Sequence, residues 1–420
     1  MAASEHAKML RKYAELIVRV GLNLQKGQRL IITNSSTRGV NLHNAALVSA
    51  ITRVAYEAGA SFVDVIWNDE DSIRTRLEHA TVNSAAEYAT WHIRGLLDTV
   101  ESGGAMLTIR SNNPDLLKGL DQEIVGAWQH AHLEHFDPVL KSVTSNMINW
   151  CVVAAAGPGW ASKVFPDLST ARAVAKLWRT IFRITRLDQP DAVAAWKVHI
   201  AALRKRAGYL NARKYARLRY KGPGTDLTIG LPEGHRWLSA GEKTQGGIDF
   251  TANLPTEEVF TLPHRLETEG TVRATLPLVY GGQRIEDFTV RFEHGRVVDV
   301  GARRGEALLR KLTTADDGAS FLGEVALVPE NSPIARLKTL FYDTLIDENA
   351  ASHLALGRGY RTCMDGAEKI SDAEFRARGG NTSLGHEDFM IGSKRLDIDG
   401  ILGNGHQEPV MRGGEWAFGT

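Results

Sequence analysis

Apolar and amphipathic segments alternate through the first half of the chain. RLIITN (Arg29 to Asn34) is β-rich and ends in polar residues, and Val40 to Gly59 follows with helical periodicity and a glycine stop. SFVDVIW (Ser61 to Trp67) is again strand-like. Asn83 to Glu101 has helical spacing, AMLTIRS (Ala105 to Ser111) predicts a strand, Pro114 to His135 a helix opened by proline, and Asn149 to Ala156 a further apolar strand. Such alternation predicts a mainly parallel sheet covered on both faces. Any ligand crevice in it would lie beyond the carboxyl ends of the strands.

Asp188 to Lys221 reads as a helical connection, and the texture changes after it. GTDLTIGLP, TVRATLPLVY, DFTVRFEHGRVVDVGA and EVALVP are short alternating strands joined by glycine-containing turns, with Gly295 at the turn of one hairpin. The expected fold class is therefore α/β: an N-terminal, mainly parallel α/β domain over residues 1–200, then a β-rich α+β domain over 201–420. A chain of 420 residues is long enough for two cores.

Composition narrows the function classes. A formal net charge of +1 provides no global field toward nucleic acid or an acidic membrane. The basic run from Arg204 to Arg217 reads as a solvated helix face, and so does HAHLEHF (His130 to Phe136). No stretch approaches a membrane span, the N-terminus reads as an amphipathic helix rather than a signal peptide, and two distant cysteines, Cys151 and Cys363, make no disulfide framework. These absences lead to an expected cytoplasmic location. No GxGxxG follows the first strand, and no GxxxxGK[ST], HExxH or GxSxG is present.

The last third carries the candidate chemistry. Glu258 in NLPTEEVFT, Glu324 in FLGEVALV, Glu348 and His353 in DENAASHLALG, and His386 with Asp388 in LGHEDFMIGS all sit in apolar frames bounded by glycine or proline. Carboxylate oxygens mixed with imidazole nitrogens form a ligand set for zinc, cobalt or manganese. A buried charge must be paired, metal-bound or reactive. His386 and Asp388, two apart on an extended strand, share a face, with Phe389 and Ile391 turned to a core. Glu257 and Glu258 point to opposite sides. DENAASHLALG is alanine-rich and reads as helical, which leaves Glu348 and His353 slightly off register at a spacing of five. Each segment has an ordinary structural reading by itself, an Asp347 helix cap or an outward-facing Glu324 among them. Their joint occurrence carries the signal.

With these motifs the chain resembles peptidase family M29, the thermophilic aminopeptidase T/S/II group. The resemblance runs the full length through WNDE (Trp67 to Glu70), GTDLTIGLP, NLPTEEVFTLP, LGEVALVP, FYDTLIDENAASHLALGRGY (Phe341 to Tyr360), GHEDFMIGS and EPVMRGGEW (Glu408 to Trp416). It implies two divalent metal ions per chain (Zn, Co or Mn), ligands at Glu258, Glu324, His353, His386 and Asp388, a further acidic position at Glu348, and a tyrosine beside the metals at Tyr360. It also implies a homodimer, a peptide substrate with a free N-terminus, and hydrolysis by metal-activated water with Glu324 and Tyr360 in the catalytic machinery. Competing readings are a mononuclear iron ring-cleavage dioxygenase of the same fold, a specialised amide or dipeptide hydrolase, and a non-catalytic binding module.

Overall fold

The computed structural model describes residues 3–280 and 283–419. The chain divides into one unit of residues 1–199 with 241–255 and a second of 200–240 with 256–420.

The first unit is built on a parallel sheet of β1 (Arg29–Thr33), β2 (Phe62–Val65), β3 (Ala105–Arg110), β4 (Trp150–Ala154) and the short strand Asn253–Leu254, in the order 253–254, β4, β3, β1, β2. β3 is buried along almost its whole length, which explains its unbroken apolar run. Helices α1 (Ala3–Leu16), α2 (Ala45–Glu57), α3 (Thr90–Glu101), α4 (Gln122–Thr144) and α5 (Thr170–Ile184) surround the strands in sequence. α2 buries Leu47, Val48, Ile51, Val54 and Ala55, a stripe at helical spacing. The helix predicted over Asn83 to Glu101 is two pieces, Val82–Ala85 and α3. α4 starts at an Asp121 cap, not at Pro114.

His132 departs from the expected solvated face. Its ring lies over Tyr88 and Phe136, and its Nδ1 is 3.0 Å from the Tyr88 hydroxyl. Burial, and then the charge of Arg38, lower its pKa to about 4.

The chain enters the second unit within α6 (Ala192–Arg213). The helical connection expected to reach Lys221 ends there, because Arg217 to Gly222 alternates with period two and turns through Pro223–Gly224. Strands follow: β5 (Arg217–Gly222), β6 (Thr225–Gly230), β7 (Leu238–Ser239), β8 (Val259–Thr261), β9 (Thr268–Arg273), β10 (Leu278–Tyr280), β11 (Gln283–Glu293), β12 (Arg296–Arg304), β13 (Leu322–Leu327), β14 (His353–Gly357), β15 (His386–Met390), β16 (Asp397–Ile401), β17 (Gln407–Arg412) and β18 (Glu415–Trp416). The larger sheet runs β10-β11-β9-β6-β5-β16-β17-β18, with β12 beside β11. The smaller runs β15-β14-β13-β8-β7 and is antiparallel throughout. One core joins their inner faces. Leu227, Ile229, Phe288 and Val290 come from the larger sheet; Val259, Val325, Leu354, Leu356 and Phe389 come from the smaller. The opposite face of the smaller sheet carries the candidate chemistry.

Candidate metal centre

Strand register assembles this face. Ala355, in the middle of β14, is paired with Glu324 on one side and Asp388 on the other. Residues directly opposite share a face, so the two carboxylates flank a methyl group that leaves the space between them open. His353 lies two residues before Ala355 and His386 two before Asp388, so both imidazoles join the same face. Glu258 has the same parity as Phe260, which pairs with Ala326, two residues on from Glu324. The expected HxD geometry holds, with Phe389 and Ile391 buried in the core behind it.

An irregularity separates Glu324 from the core residue before it. Leu322 pairs with Leu356 in the core, yet Glu324 pairs with Ala355. One extra residue, Gly323, lies between them, and this β-bulge reverses the alternation. A Cβ on Gly323 would stand 2.3 Å from the Arg358 carbonyl oxygen and 2.4 Å from that of Gly357. Only glycine allows this approach.

The segment from Asp343 to Gly357 differs from the helical reading. A helix over Thr344–Asp347, capped by Asp343 rather than Asp347, and a 3₁₀ turn over Glu348–Ala350 end before Ala351, which is extended. His353 then opens β14, hydrogen-bonded to strands on both sides. Pairing on two edges overrides the helix preference of the alanines. The spacing of five has no helical meaning, because Glu348 and His353 lie in different elements.

The side chains form two overlapping groups. Glu258, Glu324 and His353 offer ligand atoms within 4.8 Å of one another, and so do Glu324, His386 and Asp388. Glu324 belongs to both. His353 Nε2 is 3.3 Å from Glu258 Oε2 and 3.5 Å from Glu324 Oε1; His386 Nε2 is 3.7 Å from Glu324 Oε2 and 3.2 Å from Asp388 Oδ1. Each imidazole is oriented by the backbone. His353 Nδ1 donates to the Ala351 carbonyl at 3.1 Å and His386 Nδ1 to the Arg358 carbonyl at 2.7 Å. This arrangement leaves Nε2 of both rings facing carboxylates, as in metal-ligating histidines. His353 Nε2 and Asp388 Oδ1 are buried without a well-formed hydrogen bond, a state that is costly unless a further partner is bound. Mixed nitrogen and oxygen donors, with both imidazoles pre-oriented and two of the donor atoms unsatisfied, fit a divalent transition-metal cation.

Glu348 falls outside both groups. Burial, and then the charges of Glu258 and Asp388, raise its pKa well above the carboxylate range. Burial also raises Glu324, with Asp388 and Glu258 adding to the effect against the two histidines. For His386, burial is outweighed by Asp388, and the ring is raised to about 10. Tyr360 follows β14, with its ring centroid 4.9 Å from that of His386. Burial, and then Glu324 and Asp388, push its hydroxyl well above its ordinary range, so it remains a donor. Gly323, Ala355 and Asn349 were missed as contributors; the glycine inside an apolar strand was the one available cue.

The smaller sheet thus presents a candidate metal centre of acidic and imidazole side chains on a β-rich unit that accompanies a parallel α/β unit. The sequence signature described as thermophilic metalloprotease (M29) matches residues 6–416, and the chain belongs to that family. It is 44% identical over 412 residues to Aminopeptidase AmpS of Bacillus subtilis, covering 98% of this chain and 99% of that one. It is 45% identical over 407 residues to Aminopeptidase T of Thermus thermophilus, covering 97% and 98%. The solved structure of wild-type AmpT from Thermus thermophilus superposes with a TM-score of 0.91 at 44% identity, over 98% of this chain and 99% of that chain. A 2,5-dihydroxypyridine dioxygenase from Pseudomonas putida KT2440 aligns at a TM-score of 0.49 and 12% identity, too distant to bear on function.

Proposed function

We propose that this protein is a metal-dependent aminopeptidase that removes the N-terminal residue from peptides at a dinuclear centre. The observation carrying the proposal is the shared carboxylate: Glu324 belongs to two ligand groups, each with its own imidazole. Glu258 and His353 would complete one position, His386 and Asp388 the other. The two groups together hold three carboxylates and two imidazoles, more donors than the four of a tetrahedral site, which favours a pair of cations over one. Divalent cations bound there would polarise the scissile carbonyl and lower the pKa of water toward ~7.

The remaining steps fall to the chain's own side chains. Glu348, a buried carboxylate close to both ligand groups but belonging to neither, suits a general base that takes a proton from water and returns it to the leaving amine. Tyr360, held protonated, suits a hydrogen-bond donor to the oxyanion. A substrate's free α-amine, in its neutral form, is a nitrogen donor of the same kind as the two imidazoles, so the loaded centre would favour N-termini.

The test is a panel of aminoacyl p-nitroanilides and free dipeptides, with metal analysis of the same sample. Chelator should silence the activity and Co²⁺ or Zn²⁺ restore it. Turnover confined to one unusual dipeptide or amide would favour the specialised hydrolase, and oxygen consumption with one Fe(II) per chain would overturn the peptidase reading. A cytoplasmic homodimer is the accompanying expectation, with sedimentation of the purified protein as the check on the dimer.

A further inference from the structure

The carboxylate-bearing segments reach the site from separate parts of the chain, and one fully buried side chain joins two of them. Asn349 is 0% exposed. Its Oδ1 accepts the backbone N–H of Glu257 at 2.6 Å, immediately before Glu258. Its Nδ2 donates to the Leu345 carbonyl at 3.0 Å and makes a longer bond, 3.4 Å, to Glu348 Oε1. The residue itself is tied down, since its carbonyl accepts from Ser332 Oγ at 3.0 Å. A backbone donor on one side and a backbone acceptor on the other fix which way the amide faces. No other side-chain type of this size presents an acceptor and a donor in that fork.

We propose that Asn349 is a positioning residue for the metal centre: its amide sets the reach of Glu258 and orients the Glu348 carboxylate against it. The inference rests on the metal-centre reading above. A strut of this kind acts through the groups it holds, and partners behind metal ligands commonly control affinity by 10–100-fold.

Asn349→Asp is the informative variant. It is nearly isosteric and keeps an acceptor for the Glu257 N–H, but it sets an oxygen against the Leu345 carbonyl and Glu348. Asn349→Ala removes both ends without adding charge. Wild type and both variants are titrated with Co²⁺ against a chromophoric chelator, with circular dichroism as the check on folding and kcat and KM read on the same samples. The expected result is Co²⁺ affinity weakened at least about tenfold in folded Asn349→Asp, with kcat falling more than KM rises. Asn349→Ala should weaken affinity without the added fall in kcat that a charge beside Glu348 produces. Affinity and kcat within twofold of wild type in either folded variant would overturn the proposal. Loss of the folded state in both would assign Asn349 to fold maintenance and overturn it equally. Failure of wild type itself to bind Co²⁺ is a separate result that removes the metal-centre reading and the proposal with it.

Discussion

At the scale of single residues, the decisive group is Glu324, the carboxylate common to both ligand groups. Glu324→Gln keeps the volume and removes the charge, so turnover should fall at least about 100-fold while circular dichroism stays unchanged. Activity near wild type would remove Glu324 from the ligand set. Tyr360→Phe tests the oxyanion role. It should lower kcat by about 10²-fold with little change in KM, and an unaltered kcat would return Tyr360 to packing. The chemical identity of these groups was readable from the chain, because ionisable side chains inside apolar frames stand out. Their orientation was only partly readable. HxD on a strand obeys period two, so His386 and Asp388 could be paired by counting. For Glu324 the count works from one side only: the core residues Val325 and Leu327 set it on the opposite face, whereas counting from Leu322 sets it in the core, because Gly323 is an extra residue.

The elements respond in their own way. Gly323→Ala would force a methyl group against two backbone carbonyls. The cost is about 1–3 kcal/mol, read as a lower denaturation midpoint, and activity should fall further than stability because the displaced backbone leads directly into Glu324. A second test concerns α4. The folded-state pKa of His132, lowered to about 4 from an ordinary 6.5, favours the neutral ring. Its contribution is therefore complete above pH 6.5 and is lost as pH falls toward 4, a difference on the order of 1–3 kcal/mol. His132→Phe should flatten the acid side of the stability profile; parallel profiles for the two proteins would refute this. β14 shows why element type was misread here. HLALG carries no β-branched residue, and its extended form comes from hydrogen-bonded neighbours on both sides that no local window contains.

For the whole molecule, removing bound cations should matter beyond activity. Carboxylates gathered around a buried site repel one another, and any ligand specific to the folded state adds stability by mass action, about 3 kcal/mol at a hundredfold excess over Kd. Chelator should lower Tm by on the order of 5–10 °C, as read by calorimetry, and an unchanged Tm would argue against tight binding. The two-part architecture was legible because a buried parallel strand and a half-buried antiparallel strand have different hydrophobic periods. The return of residues 241–255 to the first unit was not, since a two-residue strand such as Asn253–Leu254 has no period to detect. The bulge at Gly323 has a consequence for how such a protein could change over generations. Deleting that one codon would leave Leu322 opposite Leu356 and Glu324 opposite Ala355, so a plain alternating strand would still carry the carboxylate on the same face. Exchanging the glycine meets two carbonyls while losing it does not, so shortening the strand is the milder route, a kind of change that comparing amino-acid identities at aligned positions would overlook.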